Sequence, residues 1–375
     1  MPDFADTTIA IIGVGLMGGS LGLAARERLG VERVTGYSRS ERTLRDALEL
    51  GAITEMASSV EEAVSGAGLC FVATPVRTIL GVVREALAAS GPGCVVSDLG
   101  STKSSLMAAL SPEEERRFIG GHPVCGSETA GVVNARADLF DKATYFLTSG
   151  EGVDPSSYER LHGFVAGIGA RPTAIDPDAH DRIMALVSHL PHVLANSAMN
   201  QAGAVNLDGR EALLSAGPSF RDLTRVAGSN ARVWTDIFVE NRRWLAEVLR
   251  EHARGVERFR AALEAGDEEF LAAAIAEAAA NRYRMLAAEH LEPSDLFVVK
   301  VPVPDRPGVL SSVTVALGNA GINIDDLAFH RISVEQGGVL SLVVSGGDTG
   351  QRAVELLKGL GYDAVAIPFS TSEGG

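Results

Sequence analysis

Over the first 175 residues, short apolar runs alternate with segments in which apolar residues recur at helical spacing. This alternation is typical of βα units and predicts a doubly wound parallel sheet with helices on both faces. The predicted strands cover 7–12, 33–37, 69–73, 94–97, a run from Phe118, 145–148 and 171–175, and the predicted helices cover 16–30, 41–50, 60–64 and 77–89.

The middle of the chain has a different pattern. Between residues 179 and 290 no segment shows the alternation of a strand, and apolar residues recur at helical spacing, as in Ile183, Leu186 and Leu190. We therefore predict an all-α domain at 176–292, after a first domain at 1–175. Its apolar content exceeds the needs of one amphipathic stripe, which favours a homodimer interface.

After a linker at 292–295, the last part of the chain alternates again. The order strand, helix, strand, strand, helix, strand predicts a ferredoxin-like βαββαβ domain at 295–369. The strands are expected near 297–301, 327–333, 339–344 and 364–367, and the helices near 311–320 and 351–360.

Composition narrows the class of protein. A chain of 375 residues with 46% hydrophobic content can bury a large core, and its net charge of −15 argues against nucleic acid or an anionic membrane as the main partner. No apolar run reaches the thickness of a bilayer, and the first residues lack a secretory signal. The three cysteines form no CxxC pair. We expect a cytoplasmic protein with reduced thiols.

The first predicted strand is followed at once by GVGLMG at 13–18 and then by a helix. Strand, GxGxxG and helix in this order predict a dinucleotide-binding Rossmann turn. Gly13 permits the tight turn, Gly15 lets the backbone approach a pyrophosphate, and Gly18 lets the helix pack on the strand. The helix N-terminus, at Leu16 and Met17, offers N–H groups to phosphates.

The residues after the second strand bear on the choice of cofactor. An acidic residue is expected there when the ribose 2′-hydroxyl of NAD is bound, and this chain has Ser38 and Arg39 instead. A guanidinium suits a 2′-phosphate, so NADP is modestly favoured over NAD, although Arg39 would also fit stacking on adenine or facing water. Thr74 and Pro75 follow the third strand, where they would border the nicotinamide.

One histidine is the leading candidate for chemistry. His122 follows the apolar run of Phe118 and Ile119, so it lies at the carboxyl end of a strand, where open α/β sheets bind ligands. An imidazole can accept a proton at neutral pH. Ser101 ends the previous strand and is a candidate to orient the imidazole. The alternative is a polar loop histidine without a catalytic role.

The helical region holds two further candidates. His189 and His192 lie three residues apart, but no further ligand cluster supports a metal site, so we expect none. Substrate contact by one and packing by the other fit better. Arg221 and Arg225 lie one helical turn apart near Asp222 and supply the positive charge that an anionic substrate needs, unless they form only a solvated basic face.

Taken together, these motifs resemble the prephenate/arogenate dehydrogenase family of tyrosine biosynthesis. The resemblance covers the whole chain: the GxGxxG turn, DLGS at 98–101, GHPVCGSE at 121–128, HLPH at 189–192 and FRDLTR at 220–225. The segment DRPGVL at 305–310 similarly resembles the opening of an ACT domain, an amino-acid-sensing module.

The resemblance implies roles for individual residues. His122 accepts the proton of the ring hydroxyl while hydride passes to the nicotinamide and carbon dioxide leaves, and Ser101 hydrogen-bonds imidazole and hydroxyl. Arg225 binds a substrate carboxylate, and His192 and Ser127 close the pocket. Glu128 either pairs with the ammonium of arogenate or organises its loop.

Prephenate is the expected substrate on family prevalence, with arogenate or dual cyclohexadienyl activity as the alternative. Tyrosine is a candidate effector, with Gly308 and Asn323 as the positions expected near it. Two other classes compete. One is a different Rossmann β-hydroxyacid dehydrogenase or imine reductase, which would place a catalytic lysine or aspartate in the helical domain and lack the His-Pro stretch. The other is a non-enzymatic amino-acid sensor, against which Ser101, His122 and Arg225 argue.

Overall fold

The computed structural model describes residues 4–125, 129–207, 210–287, 296–304, 306–333, 337–346 and 348–368. The chain forms two compact units, Met1–Arg254 and Gly255–Gly375. The first unit takes in the predicted dinucleotide-binding domain and much of the predicted helical domain. Within the described ranges, no helix combines the length and the apolar character needed to cross a lipid bilayer.

The first unit is built on an eight-stranded sheet with the order β3-β2-β1-β4-β5-β6-β7-β8. The strands are β1 Ile9–Ile12, β2 Val34–Tyr37, β3 Glu55–Met56, β4 Leu69–Val72, β5 Val95–Asp98, β6 Phe118–Pro123, β7 Thr144–Thr148 and β8 Arg171–Ala174. The helices between them are α1 Leu16–Leu29, α2 Glu41–Glu49, α3 Val60–Val64, α4 Ile79–Ala89, α5 Ser104–Ala108, α6 Pro112–Glu115 and α7 Pro155–Gly167. The predicted doubly wound architecture is confirmed.

Strand β1 shows why the sheet has two covered faces. Successive side chains of a strand point to opposite faces, so Ile9 and Ile11 enter the core under α1 and α7, while Ala10 and Ile12 enter the core under α3 and α4. All four are essentially inaccessible to water. A strand that is apolar at every position is therefore the expected sequence of a doubly covered sheet.

The sheet departs from the parallel prediction at one pair. Strands β6 and β7 are antiparallel, with His122 opposite Phe146. In the described part of the connection between them, only the 3-10 turns Val132–Asn134 and Ala137–Phe140 are regular. Parallel neighbours need a crossover that usually contains an α-helix, whereas antiparallel neighbours do not. The prediction of an all-parallel sheet is therefore wrong for β7, although β7 and β8 are again parallel.

Buried charges hold the end of β5. Asp98 and Lys103 are both fully buried and form an ion pair. The Asp98 carboxylate also accepts hydrogen bonds from the backbone N–H of Gly100 at 2.8 Å and from that of Gly121 at 3.0 Å. One side chain thus fixes both the turn that carries Ser101 and the strand that carries His122.

Helices follow the sheet. They are α8 Pro177–Met184, α9 Leu190–Gly203, α10 Pro218–Thr224, α11 Ala231–Glu240, α12 Arg242–Ala265 and α13 Glu268–Ala287. A π-helical segment, Ala185–His189, joins α8 to α9. The prediction of no strand in this region is wrong for β9 Asn206–Leu207 and β10 Arg210–Glu211, a two-residue antiparallel pair too short to produce an alternating pattern.

The second unit contains the predicted βαββαβ fold. Its elements are β11 Leu296–Val303, α14 Val309–Asn319, β12 Asp326–Ser333, β13 Gly337–Ser345, α15 Thr349–Gly359 and β14 Val365–Pro368. The sheet order is β12-β13-β11-β14, with antiparallel pairing throughout. Alternate residues of β11 and β13, such as Val299 and Leu342, are fully buried against the two helices, which confirms the strand periodicity.

The Asp98–Lys103 pair generates a prediction about stability. Lys103→Met removes the cation and leaves a buried carboxylate without its counter-charge, so the free energy of unfolding of the first unit falls by about 3–5 kcal/mol. Urea denaturation followed by circular dichroism measures the change. The matched control is Lys142→Met, at an exposed lysine of the same unit. Equal stability of the two variants would contradict the prediction.

Candidate active site

The glycine-rich turn between β1 and α1 is shaped by close contacts. Gly13 has φ +98°, and a Cβ there would lie 2.6 Å from the carbonyl oxygen of Ala73. A Cβ on Gly18 would lie 2.4 Å from the oxygen of Gly13, so both positions exclude side chains for packing reasons. A Cβ on Gly15 would meet nothing within 4 Å, because this residue faces an open groove. Its backbone forms the N-cap of α1 without a side-chain cap.

Two cavities form this groove. The first has a volume of about 540 Å³ and is lined by residues that include Gly13, Ser38 and Arg39. The second, of about 350 Å³, is lined by Leu16, Met17 and Ser101 among others. Both are bordered by Gly15, Thr74 and Pro75, so they are continuous.

The groove thus brings together every predicted cofactor residue except Gly18, which lies behind the turn. An open face at Gly15 beside an uncapped helix N-terminus suits a pyrophosphate, so the residues present fit a dinucleotide.

A third cavity, of about 320 Å³, continues from the second through Thr129, Ala130 and Val233. Its wall contains Arg225 and Trp234. The ring of His192 stacks on Trp234 with the centroids 3.3 Å apart. The structure therefore brings Arg225 and His192 together at the end of the groove away from Arg39. Ser127 and Glu128, also predicted to lie in this pocket, fall outside the described residues.

His122 is half-buried at the end of β6 and belongs to a chain of hydrogen bonds. Its Nδ1 lies 2.8 Å from Nε2 of His180, and Nδ1 of His180 lies 2.7 Å from Oδ1 of Asp181. His180 and Asp181, at the middle of α8, are buried. The partner of the imidazole at Nδ1 is therefore His180. The predicted orienting bond from Ser101 is not among the hydrogen bonds of the described residues, and Ser101 lines the middle cavity instead.

Asp181 is held from several sides. Its carboxylate accepts from the backbone N–H of Lys103 at 2.7 Å and from that of Ser104 at 2.9 Å. Its carbonyl oxygen accepts from the side-chain amide of Asn241 at 2.7 Å, and the same amide lies 3.0 Å from Nδ1 of His189. Asp181 therefore links His189 with His180 and, through His180, with His122.

Burial keeps His122, His189 and His192 neutral at pH 7. Burial is the main cause that lowers the pKa of His122 well below its usual range, helped by repulsion from His180, Lys103 and His189 in their protonated forms. Burial likewise lowers the pKa of His189 to about 4, and burial followed by the charge of Arg225 lowers that of His192 to about 4. At neutral pH, His122 carries a lone pair that can accept a proton.

Sequence reasoning missed His180, Asp181, Trp234 and Asn241. A signal existed for the first two, because an adjacent His-Asp pair follows Asp176, whose side chain caps the N-terminus of α8. Trp234 and Asn241 gave none, since each contributes through contacts that lie far apart in the sequence. Within the described ranges, no cluster of three or more His, Cys, Asp or Glu side chains is arranged to hold a metal ion.

Comparison with known proteins agrees with this architecture. Family models described as the prephenate dehydrogenase nucleotide-binding domain, the prephenate dehydrogenase dimerization domain and the ACT domain match residues 21–174, 176–277 and 297–361. The chain is 32% identical over 356 residues to prephenate dehydrogenase of Bacillus subtilis, covering 94% of this chain and 95% of the relative.

Two further similarities each cover about seven tenths of this chain. Cyclohexadienyl dehydrogenase of Zymomonas mobilis is 33% identical over 269 residues, which cover 70% of this chain and 90% of that one. The solved structure of prephenate dehydrogenase from A. aeolicus in complex with hydroxyphenyl propionate and NAD+ matches with a TM-score of 0.70 at 26% identity. That match covers 74% of this chain and 98% of the solved chain.

The open face of Gly15 generates a prediction about cofactor binding. Gly15→Val should lower the free energy of unfolding by no more than about 1 kcal/mol, the cost of a poorer N-cap residue, because a Cβ there meets no protein atom within 4 Å. It should weaken NADH and NADPH binding at least about tenfold, a loss of roughly 1.4 kcal/mol, because it occupies the groove. Fluorescence titration of the reduced cofactors measures the affinity.

The contrasting variant is Gly13→Ala, which should destabilise the fold because the left-handed φ and the Ala73 carbonyl both exclude a Cβ. A Gly15→Val protein that binds NADH and NADPH as the wild type does would show that the cofactor lies elsewhere.

Proposed function

The chain belongs to the prephenate dehydrogenase family, and we propose that its site carries out the NAD(P)-dependent oxidative decarboxylation of prephenate to 4-hydroxyphenylpyruvate. The observation that carries the proposal is a neutral His122 whose Nδ1 contacts His180. In the same unit, a groove runs from the glycine-rich turn to the cavity lined by Arg225, which we call the arginine pocket. A base, a cofactor groove and a carboxylate-binding cation are the parts that this reaction needs.

The residues divide the work as follows. His122 takes the proton of the ring hydroxyl, and its low pKa keeps it ready to do so at neutral pH. Arg225 pairs with a carboxylate of the substrate, with His192 and Trp234 forming the wall beside it. Ser101 lines the middle cavity and hydrogen-bonds the substrate hydroxyl in this proposal. A nicotinamide bound in the groove would supply the hydride acceptor that the oxidation of the ring needs, and aromatisation drives the loss of carbon dioxide.

The choice of substrate depends on one end of the molecule. Prephenate carries a keto group at the position where arogenate carries an ammonium. We propose prephenate as the main substrate, supported by the relative aligned over 94% of the chain. Arogenate or dual use is the alternative, and a cyclohexadienyl dehydrogenase among the relatives favours keeping it. Glu128, the acid proposed to select an ammonium, lies outside the described residues.

For the cofactor, we propose a modest preference for NADP over NAD. Ser38 and Arg39 follow β2 and line the first cavity, and Arg39 is exposed there as a cation for a 2′-phosphate. Glu85 lines the same cavity and would repel a phosphate, which limits the size of the preference.

We further propose a homodimer built on the helical domain and control by tyrosine through the ACT domain, with domain limits at 1–175, 176–292 and 295–369. The match to a dimerization domain supports the first proposal, and sedimentation equilibrium tests it. Gly308, with φ +91° before α14, and Asn323, bonded to Asp325 at 2.7 Å, are the proposed effector positions. Rates that do not respond to titrated tyrosine would remove the effector proposal.

The role of His122 is tested by steady-state kinetics with prephenate and arogenate. His122→Asn should lower kcat on the order of 10²–10⁴-fold and leave KM nearly unchanged, because it removes proton transfer but not binding. In the wild type, kcat/KM should decrease toward acid pH with a midpoint below pH 6.5, since the pKa of His122 is lowered and only the neutral form is active.

The matched control is His162→Asn, at an exposed histidine of α7. A His122→Asn enzyme with the kcat of this control would refute the base assignment. A wild type that consumes neither substrate would refute the proposed function.

The cofactor preference is tested by Arg39→Ser. Loss of the guanidinium should weaken NADPH binding about tenfold and leave NADH binding nearly unchanged, because only NADPH carries the 2′-phosphate. Arg42→Ser, at an exposed arginine of α2, serves as the control for the change in net charge. Equal losses for both cofactors would mean that Arg39 contacts a part they share.

A further inference from the structure

Asp181, His180 and His122 form a line of hydrogen bonds that ends at the proposed base. We propose that His180 and Asp181 are positioning residues that fix His122 in the tautomer with its proton on Nδ1, which leaves the Nε2 lone pair for the substrate. This inference rests on the proposed function, because it concerns how the base of that reaction is prepared.

The first step is the charge of Asp181. Burial acts to raise the pKa of this carboxyl, but hydrogen bonds from His180, Ser104 and Lys103 outweigh burial and the pKa is lowered. Two of these donors are backbone N–H groups, whose direction cannot be reversed. The carboxylate is therefore ionised at neutral pH and acts only as an acceptor.

The second step follows from Asp181 acting only as an acceptor, which sets the donor and the acceptor of each bond in the line. Since Asp181 has no proton to give, the proton in its 2.7 Å contact belongs to Nδ1 of His180. A neutral imidazole has one N–H, so Nε2 of His180 is an acceptor. The 2.8 Å contact then requires an N–H at Nδ1 of His122. The line takes the fully buried His180 as a neutral imidazole, because a second proton on Nε2 would reverse the bond to His122.

Asp181 also fixes a second ring in the opposite sense. Its carbonyl oxygen accepts one N–H of the Asn241 amide, which directs the other N–H at Nδ1 of His189. His189 therefore accepts at Nδ1 and carries its proton on Nε2. One residue thus prepares an acceptor on His122 and a donor on His189.

The arrangement assists the proposed reaction without moving a proton along the line. When Nε2 of His122 takes the hydroxyl proton, the new imidazolium keeps its Nδ1 proton hydrogen-bonded to His180. The negative charge of Asp181, transmitted through that polarised ring, stabilises the cation. No bond to hydrogen breaks at His180 or Asp181.

The wild-type protein gives a direct test that does not depend on activity. ¹⁵N spectra of the full chain labelled at histidine distinguish the two neutral tautomers, and the His122 signals are identified by their loss in His122→Asn. We expect protonated Nδ1 and bare Nε2 for His122 at pH 7.5. A bare Nδ1 on His122 would overturn the proposal, whether or not variants of Asp181 fold.

The second test is Asp181→Asn. With its nitrogen toward His180, the new amide donates to Nδ1 of that ring and reverses the two bonds of the line, which would put the proton of His122 on Nε2. We expect kcat to fall on the order of 10²–10⁴-fold, with KM and cofactor affinity within about threefold of the wild type, and the His122 ¹⁵N pattern to invert. Asp178→Asn makes the same change at an exposed position of α8 and should behave as the wild type.

The outcomes separate the two proposals. An Asp181→Asn enzyme with the kcat of Asp178→Asn would overturn the positioning role and leave the proposed function standing. If the wild type consumes neither prephenate nor arogenate, the proposed function fails, and the ¹⁵N tautomer of His122 still supports or overturns the hydrogen-bond line.

Discussion

Lys103 is the residue through which the sheet and the first helix after it meet. Its ammonium is buried against Asp98, whose carboxylate also holds the backbone of Gly100 and Gly121. Its backbone N–H is donated to Asp181 on α8. A buried charge is tolerated only when it is paired and hydrogen-bonded, so neither end can shift alone. The turn of Ser101, the strand of His122 and the start of the helical region are thereby fixed relative to one another.

This constraint explains what the sequence could and could not predict. Strands and helices follow from local periodicity, and the cofactor turn follows from a spacing of glycines whose contacts lie within one βα unit. The partner of His122 is 58 residues away and is chosen by how α8 packs on the sheet, which no local pattern encodes. For the same reason the sequence points to Ser101, which follows the neighbouring strand, as a partner of the imidazole, whereas the contact at Nδ1 of His122 is made by His180. The antiparallel orientation of β7 could not be predicted, because the alternation of side chains along a strand is the same whichever way the chain runs through the sheet.

The arginine pocket explains how a chain with a negative net charge can bind an anion. The chain has a net charge of −15, yet the proposed substrate is an anion. Arg225 lines a cavity beside two histidines that are neutral at pH 7 because burial lowers their pKa. The two histidines therefore add no positive charge to that of Arg225. Attraction over a few ångströms in a partly desolvated pocket outweighs a global field that salt screens.

A lowered pKa has two consequences for His122. It keeps the ring unprotonated, which a base requires, but it also makes the ring a weaker proton acceptor, since burial disfavours the imidazolium. A base that is only desolvated would gain availability and lose proton affinity in the same measure. The line to Asp181 offsets this loss, because a fixed carboxylate stabilises the cation only once it forms. Burial of the ring and the aspartate behind it therefore have complementary effects. Burial keeps His122 unprotonated before the reaction, and Asp181 lowers the free energy of His122 once it has taken the proton.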